Sequence, residues 1–154
     1  MSNTIIHERV DLANQGKNQT AIIKLKSGWV VLGDNQTLPG YCLLLSDPVT
    51  ETINDLNIIA RKQFLFDMTI VGDALIKTVN PRIINYSILE NKDRALHAHI
   101  HPRYNWENIN YKEKPPFIYN FQNEANIKFD YTRDKKLINK IRENIIIILK
   151  GQEI

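Results

Sequence analysis

The chain is organised around one stretch, Ala95-Leu96-His97-Ala98-His99-Ile100-His101-Pro102-Arg103-Tyr104. Three of the four histidines lie here, at every second position. Because successive side chains of a strand point to opposite faces, we expect His97, His99 and His101 to line one face and the apolar residues between them the other. Pro102 cannot donate a hydrogen bond to a sheet, so the strand should end or reach an edge there.

Protonation of three adjacent imidazoles to the charged form is unfavourable, since like charges at this range repel and lower one another's pKa. The row should therefore be mainly neutral near pH 7. In that state imidazole serves as a nucleophile, acid, base, phosphate ligand or metal ligand. Surface histidines on a polar strand face are the simpler alternative. Three histidines at every second position, with an apolar residue between each pair, favour a functional role for this strand face.

The flanks of the row resemble a known family. The stretch that begins Leu89-Glu90-Asn91-Lys92-Asp93-Arg94 and runs to Tyr104 is similar to the signature of the histidine triad (HIT) superfamily. In words, that signature is a Leu-Gly-Asn turn, alternating histidines and a closing Pro-Arg-Tyr. The ungapped alignment places Asn91 on the turn Asn/Gln of the family, and Glu90 stands where the family has the turn Gly.

The same alignment fixes the register of the histidines. It puts the family's first His on Ala95, the nucleophilic middle His on His97 and the last His on His99, which leaves His101 where the family usually has an apolar residue. Spacing alone would make His99 the nucleophile. The flanking residues favour His97, so the triad is degenerate, with Ala at its first position.

A second stretch also resembles the family. Pro39-Gly40-Tyr41-Cys42-Leu43-Leu44-Leu45 is similar to a family strand with a Pro-Gly-x-x-Leu pattern. The family usually continues with a Pro-Lys-x-His segment whose His helps to bind phosphate. Here Ser46-Asp47-Pro48-Val49 stands in its place, so that role is lost or supplied by another group.

The resemblance implies an α+β fold: a five-stranded antiparallel sheet with one long central helix and a C-terminal helix. Residues 1–154 would form a single HIT-like domain. Its core would span 20–104, and 105–154 would form an aromatic-rich segment followed by the C-terminal helix. The resemblance also implies a homodimer, in which Gly72 and the aromatic segment could contribute to the subunit contact.

Local patterns predict the elements. Residues 21–26 and 29–32 should form a hairpin about a two-residue turn, Ser27-Gly28, and 41–45 a strand covered on both faces. Asn57 should cap a helix over 58–79 that ends at Asn80-Pro81. Its core face is expected to comprise Phe64, Met68, Val71 and Leu75.

The remaining segments give further expectations. Residues 82–89 should form a strand antiparallel to the histidine strand, joined to it by a turn at 91–94, with Asn85 and Ser87 near the histidines. Residues 1–20 should be a short helix or coil, with His7 on the surface. Residues 105–131 are predicted to be an irregular segment whose aromatics, Phe121 among them, pack onto the body of the protein or onto a partner subunit. Thr132 should cap a helix over 133–150 with a buried isoleucine stripe.

The length, charge and cysteine content of the chain limit the classes of protein to which it can belong. The 154 residues suit one domain, and 43% hydrophobic and 24% charged residues are ordinary for a globular protein. The net charge of +3 suits an anionic small ligand but is too weak to argue for nucleic acid. One cysteine, Cys42, excludes an internal disulfide and fits a reducing compartment. No apolar run approaches the roughly 20 residues of a membrane span, and no signal-peptide core is seen, so we expect a cytoplasmic protein without membrane contact.

The family resemblance implies a nucleotide phosphohydrolase of the diadenosine polyphosphate or nucleoside phosphoramidate type. His97 would attack the α-phosphorus and form a covalent nucleotidyl-histidine, while His99 would donate a hydrogen bond to a non-bridging oxygen. A backbone carbonyl would hold the other ring nitrogen of the nucleophile. No metal or other cofactor is required, although Mg²⁺ often accompanies polyphosphate substrates.

Four further residues are candidates for nucleotide or phosphate binding. Asn85 and Asn91 would position phosphate or ribose. His101 would contact the leaving group or stand in for the missing first His. Arg103 would bind phosphate, with a structural salt bridge as its alternative.

Two other classes remain open. His-x-His on a strand is a platform for Zn²⁺, with His101 as a third ligand and Glu90 or Asp93 completing the set. A catalytically weak nucleotide-binding or signalling module is the other, and the departures at Ala95 and at 46–49 make it credible.

Overall fold

The computed structural model describes residues 2–119 and 126–151. Its centre is an antiparallel sheet of five strands: β1 (Ala21–Lys24), β2 (Gly28–Leu32), β3 (Cys42–Ser46), β4 (Ile83–Ser87) and β5 (His97–Arg103). Their spatial order is β1-β2-β3-β5-β4. The helices are α1 (Ile5–Asn14), α2 (Ile58–Val79), α3 (Ile109–Lys112) and α4 (Tyr131–Lys150), with single 3₁₀ turns at Ile53–Asp55 and Pro116–Ile118. The predicted α+β architecture is confirmed.

The long helix α2 begins and ends where its local signals predict. The side chain of Asn57 accepts a hydrogen bond from the amide of Ala60, and Asn80 closes the helix in the left-handed conformation at φ 47°. Phe64, Val71 and Leu75 are fully buried against the sheet, and Met68 is partly buried.

Gly72 of α2 lies close to a side chain of β4. A Cβ atom at this position would lie 1.9 Å from the Tyr86 hydroxyl on β4. The near neighbour of Gly72 therefore belongs to its own chain, and its expected part in a subunit contact stays a prediction.

The two faces of the sheet are covered differently. On one face α2 and α4 pack over Val30, Leu32, Leu44, Ala98 and Ile100, which form the main core. On the other face α1 covers only the β2–β3 half, where Ile6 and Val10 contact a second apolar cluster. The β5–β4 half of that face is left for the functional residues. Among the described helices, none combines the length and apolarity that crossing a membrane requires.

The first hairpin is confirmed, but its turn is longer than predicted. Three residues, 25–27, join β1 to β2, and the Leu25 amide donates to the Gly28 carbonyl. Gly28 is therefore the first residue of β2 and not part of a two-residue turn. Its φ of 157° and its contact with the backbone of β3 explain why this position has no side chain.

Both terminal helices form as the sequence allowed, and two details differ from the expectations. α1 is regular, and His7 is not simply a surface residue: its Nδ1 accepts a hydrogen bond from the amide of the N-cap Thr4. α4 is capped by Asp130, which accepts from the Arg133 amide, and not by Thr132. Ile138, Ile141 and Ile145 are buried as predicted, and Ile148 is partly buried.

The connection from β4 to β5 is longer than the predicted turn. The strands stop at Ser87 and resume at His97, so residues 88–96 form a loop. Farther along, the 105–119 segment carries only one turn of α-helix and one of 3₁₀ helix, in keeping with its irregular sequence. Phe121 lies outside the described residues.

Replacing Gly28 with Ala should sharply destabilise the fold. A Cβ at residue 28 would lie 1.8 Å from the carbonyl oxygen of Leu45, which is backbone and cannot rotate away. We expect the free energy of unfolding to fall by about 3 kcal/mol or more, measured by urea denaturation.

Gly16→Ala is the matched control for this substitution. Gly16 has φ 70° but nothing within 4 Å of its Cβ direction, so only backbone strain of about 1 kcal/mol should appear. Equal losses at both positions would contradict the steric explanation.

Candidate functional site

The three histidines of β5 lie on one face of the sheet. Neighbouring ring centroids are 4.9 Å apart for His97 and His99 and 6.0 Å apart for His99 and His101. Leu96, Ala98 and Ile100 are fully buried under α2 on the opposite face. The alternation predicted from the sequence is confirmed. The prediction that the strand ends or reaches an edge at Pro102 is partly right. Pairing of β5 with β3 stops at Ile100, whereas its pairing with β4 continues to Arg103.

His97 is held by the backbone of its own chain. Its Nδ1–H donates to the carbonyl oxygen of Ala95 at 2.6 Å. The proton of the neutral ring therefore resides on Nδ1, and Nε2 carries a free lone pair. No described residue forms a hydrogen bond with this Nε2. The contact is the backbone interaction that the sequence assigned to the nucleophile.

His99 is oriented by a tyrosine from β3. The Tyr41 hydroxyl lies 2.6 Å from His99 Nδ1. Burial raises the pKa of Tyr41, so the phenol keeps its proton and donates it to Nδ1. Burial and then the nearby His97 lower the pKa of His99 to about 4. The ring is therefore neutral, with its proton on Nε2, where it acts as a hydrogen-bond donor.

His101 is enclosed by aromatic rings. It stacks on Tyr41 with centroids 4.0 Å apart, and Phe117 meets its edge at 5.4 Å. Burial, then His99 and Arg103, lower its pKa to about 3, and neither ring nitrogen has a partner among the residues described. With 1% of its surface exposed, His101 is not placed to contact a leaving group, which corrects that expectation.

The uncharged state that the sequence predicted for the imidazoles is therefore supported for His99 and His101. The main cause of their lowered pKa is different from the mutual repulsion that was expected. Desolvation by burial comes first for both rings, and the charge of a neighbouring histidine comes second.

Arg103 is a structural residue in this fold. Its guanidinium, 2% exposed, uses all five N–H groups on Glu107, on the Asn85 side-chain oxygen and on the carbonyls of Tyr111 and Lys114. No donor is left for a phosphate. The structure therefore corrects the phosphate-binding expectation in favour of the salt bridge, which fastens the 105–119 segment to β5.

Asn85 and Asn91 lie in different surroundings. Asn85 pairs with His101 across the β4–β5 ladder, and its oxygen accepts from Arg103, which leaves its amide N–H groups available. Asn91 is exposed in the 88–96 loop, and no hydrogen bond joins its side chain to another described residue. The sheet thus brings Asn85 to the histidine face, whereas the structure gives no contact between Asn91 and the histidines.

Glu90 adopts the backbone that a turn glycine would adopt, with φ 57°. Its Oε1 is buried without a partner among the described residues. Burial raises the pKa of this carboxyl, while His97 and the Ile53 amide oppose the shift. A left-handed backbone at position 90 is the conformation that glycine adopts most readily, which agrees with the turn Gly of the motif.

Three residues of the site were missed from the sequence. Tyr41 had a usable signal, because positions 41, 43 and 45 of one strand share the face on which Leu43 and Leu45 pair with His99 and His97. Phe117 and Glu107 had no such signal in the sequence, because their positions depend on an aperiodic loop folding back over β5.

Within residues 2–119 and 126–151, no group of three or more His, Cys, Asp or Glu side chains is arranged to hold a metal ion.

The fold is similar to that of solved histidine triad proteins. A histidine triad protein of Sinorhizobium meliloti matches with TM-score 0.68 and 19% identity over 84% of this chain and 93% of that chain. A hypothetical histidine triad nucleotide-binding protein of Sulfolobus tokodaii matches with TM-score 0.69 and 14% identity over 92% and 93%. The diadenosine triphosphate hydrolase of Plasmodium falciparum, solved with cyclomarin A, matches with TM-score 0.56 and 18% identity over 84% and 78%.

No family model matches the sequence, and no curated protein matches it. The chain therefore has the HIT-like fold that its motifs predicted, and this fold is established by structure at low sequence identity.

Glu107→Gln should destabilise the protein in a pH-dependent way. Burial alone would raise the pKa of Glu107, but hydrogen bonds from Arg103, Tyr119 and the Tyr104 amide, together with the Arg103 charge, hold it below its usual 4.5. A lowered folded-state pKa gives stability that is present above pH 4.5 and is lost as the pH falls below that value. We expect a loss of about 3 kcal/mol near pH 7 that shrinks towards about pH 3, measured by urea denaturation.

Tyr119→Phe removes one hydrogen bond to the same carboxylate and serves as the control, with an expected loss of about 1 kcal/mol. A loss for Glu107→Gln that is the same at both pH values would contradict the charge-pair explanation.

Proposed function

We propose that this HIT-like chain hydrolyses a nucleotide at its α-phosphorus through a covalent intermediate on His97. The observation that carries the proposal is the hydrogen bond from His97 Nδ1 to the Ala95 carbonyl, because it leaves the Nε2 lone pair free to attack. The names of two similar structures, a nucleotide-binding protein and a diadenosine triphosphate hydrolase, support a nucleotide as substrate.

The reaction would proceed in two displacements. The Nε2 lone pair of His97 forms a bond to the α-phosphorus, and the bond from phosphorus to the leaving group breaks with its electron pair on that group. The resulting imidazolium keeps its Nδ1 proton on the Ala95 carbonyl. Water then attacks the phosphorus and loses one proton to the solvent, the P–N bond breaks with its electron pair on Nε2, and nucleoside monophosphate leaves with the neutral ring restored.

His99 and Asn85 would stabilise the charge that develops on phosphate. The tautomer set by Tyr41 places a proton on His99 Nε2, which suits donation to a non-bridging oxygen. Asn85 offers amide N–H groups whose direction is fixed because its oxygen is held by Arg103. Asn91 keeps its proposed phosphate contact only if the 88–96 loop moves towards the substrate. The scheme uses no cofactor, and Mg²⁺ would enter bound to a polyphosphate substrate.

A nucleotide-binding module with weak catalysis is the second candidate. The observation that favours it is the buried Ala95 at the first triad position, together with the absence of a histidine from 46–49. Tight binding of an adenosine nucleotide with no turnover would select this alternative. A homodimer also remains proposed, with Leu65, Phe66 and Ile76 of α2 as exposed apolar residues that a second copy would cover.

His97→Ala should abolish turnover, and His99→Ala should slow it. With diadenosine tetraphosphate, we expect kcat to fall by about 10⁴ or more for the first variant and about 10² to 10³ for the second. An acid-labile nucleotidyl adduct should map to His97 in the wild type and should be missing from His97→Ala. Thermal melting of both variants controls for folding. Wild-type turnover by His97→Ala beside an inactive His99→Ala would show that the register is wrong.

Tyr41→Phe should change the tautomer of His99 while leaving the nucleophile intact. Without the hydroxyl, Nδ1 of His99 loses the donor that fixes its lone pair, so the proton is shared between both ring nitrogens. We expect about a tenfold lower kcat and a change in the ¹⁵N shifts of the His99 ring. The ¹⁵N shifts of His97 should stay the same, and an unchanged His99 tautomer would contradict the role given to Tyr41.

A further inference from the structure

A groove lies at the β1 edge of the sheet, between the connection that joins α1 to β1 and the N-terminal half of α4. Its volume is about 590 Å³, which is in the range of small-molecule sites. The lining residues that matter here are Lys17, Asn18, Tyr131, Lys135, Asn139 and Arg142. We call this space the α4 groove. Because β2 and β3 lie between β1 and β5 in the sheet, the groove is separate from the histidine row.

One wall of the groove is a single face of α4. Three or four positions separate each lining residue of the helix from the next: Tyr131, Lys135, Asn139 and Arg142. Ile138 beside them is buried in the main core, which fixes this face of the helix relative to the sheet. The polar side chains of the wall therefore project from a rigid element.

The opposite wall is the connection 15–20, which is held by Asn18. The side-chain oxygen of Asn18 accepts hydrogen bonds from the amide and the hydroxyl of Thr20, and its Nδ2 donates to the Arg9 carbonyl. The amide of Lys17 donates to the Leu12 carbonyl at the end of α1. Both walls of the groove are thus held by contacts within the chain.

The α4 groove is positively charged. Two lysines and one arginine line it, and none of the described residues that line it is acidic. The acids of α4 lie against other cations. Asp134 is 2.7 Å from Arg133, and Glu143 is 3.6 Å from Lys140. The ammonium groups of the two lysines form no ion pair within the part of the chain that the structure describes. The charge of the groove is therefore available to a ligand.

Arg142 and Asn139 add donors whose directions are fixed. The Nε of Arg142 donates to the Ile22 carbonyl of β1 at 2.6 Å, and its Nη1 donates to the side-chain oxygen of Asn139 at 2.8 Å. Nη2 of Arg142 has no partner among the described residues, and the amide N–H groups of Asn139 are left for a ligand. Fixed N–H donors beside mobile ammonium groups are the chemistry that binds phosphate oxygens.

We propose that the α4 groove binds a small molecule that carries two or more phosphate groups. Three positive charges without an acid call for a ligand with several negative charges, and one carboxylate would leave most of them unmatched. The two walls bound a space of limited volume, which favours a small ligand over a nucleic-acid strand. The roles given to the histidine row involve none of these residues, so the groove is a second site.

The test uses two probes that differ in the source of the phosphate groups, inorganic tripolyphosphate and fructose 1,6-bisphosphate. Each is titrated into the ¹⁵N-labelled full chain and followed by NMR. We expect saturable shifts at the amides of 16–19 and 131–142, with a Kd of about 0.1 to 1 mM for at least one probe. The probe that binds more tightly shows whether the ligand is an inorganic oligophosphate or a phosphorylated organic molecule.

A pair of double variants separates a built site from general attraction by charge. For Lys17→Gln/Lys135→Gln, we expect Kd to rise about tenfold or more. Lys62→Gln/Lys136→Gln removes the same charge from exposed positions outside the groove and should change Kd by less than about twofold. Thermal melting of both variants controls for folding.

Four outcomes would overturn the assignment. They are shifts that never saturate, shifts confined to the histidine face, equal losses of affinity in both double variants, and a short RNA that binds the groove more tightly than either probe. The last would show a nucleic-acid surface in place of a small-molecule site. None of these measurements depends on turnover at His97, so each of these outcomes leaves the proposed function standing.

Discussion

The packing of Leu96, Ala98 and Ile100, which are every second residue in and just before β5, under α2 is the constraint on which the rest of the structure depends. Leu96, Ala98 and Ile100 have no exposed surface beneath α2, so the residues between them must face the other way. A slip of one residue would turn three imidazoles into the apolar core under α2 and turn three apolar side chains onto the histidine face, which makes the register strongly specified. The histidine row is thus positioned by the hydrophobic core, and its chemistry acts within a geometry that the core sets.

The same strand also fastens the segment that closes the row. Arg103 follows His101 by two residues, so it shares the histidine face, and its guanidinium holds the carbonyls of Tyr111 and Lys114 through direct hydrogen bonds. A buried ion pair such as Arg103–Glu107 adds little net stability, because both charges are desolvated. The effect of this ion pair is to hold the segment in place. Phe117 of that segment lies against His99 and His101 and adds to the burial that lowers the pKa of both rings.

Local signals in the sequence predicted much of this fold. The long-range contacts could not be predicted from the sequence. The bounds of α2 follow from Asn57 and Asn80, which act through their own hydrogen bonds and backbone conformation, and the alternation of β5 needs no information from elsewhere. The cap of α4 was misassigned because Asp130 and Thr132 are both capable caps two residues apart. The partners of Arg103 and the enclosure of His101 depend on a loop without periodicity, and no pattern in the sequence encodes where that loop returns.

The choice between an enzyme and a binding module depends on what the first triad position does. In this structure the group that holds the His97 ring is the carbonyl of residue 95, and every amino acid has that carbonyl. The methyl side chain of Ala95 faces the apolar cluster under α1, with Leu45 and Ile6. Ala at position 95 therefore keeps the carbonyl that holds the His97 ring. Because the departure from the motif changes a side chain and leaves this backbone contact in place, it weighs less against the proposed catalysis than the sequence alone indicates.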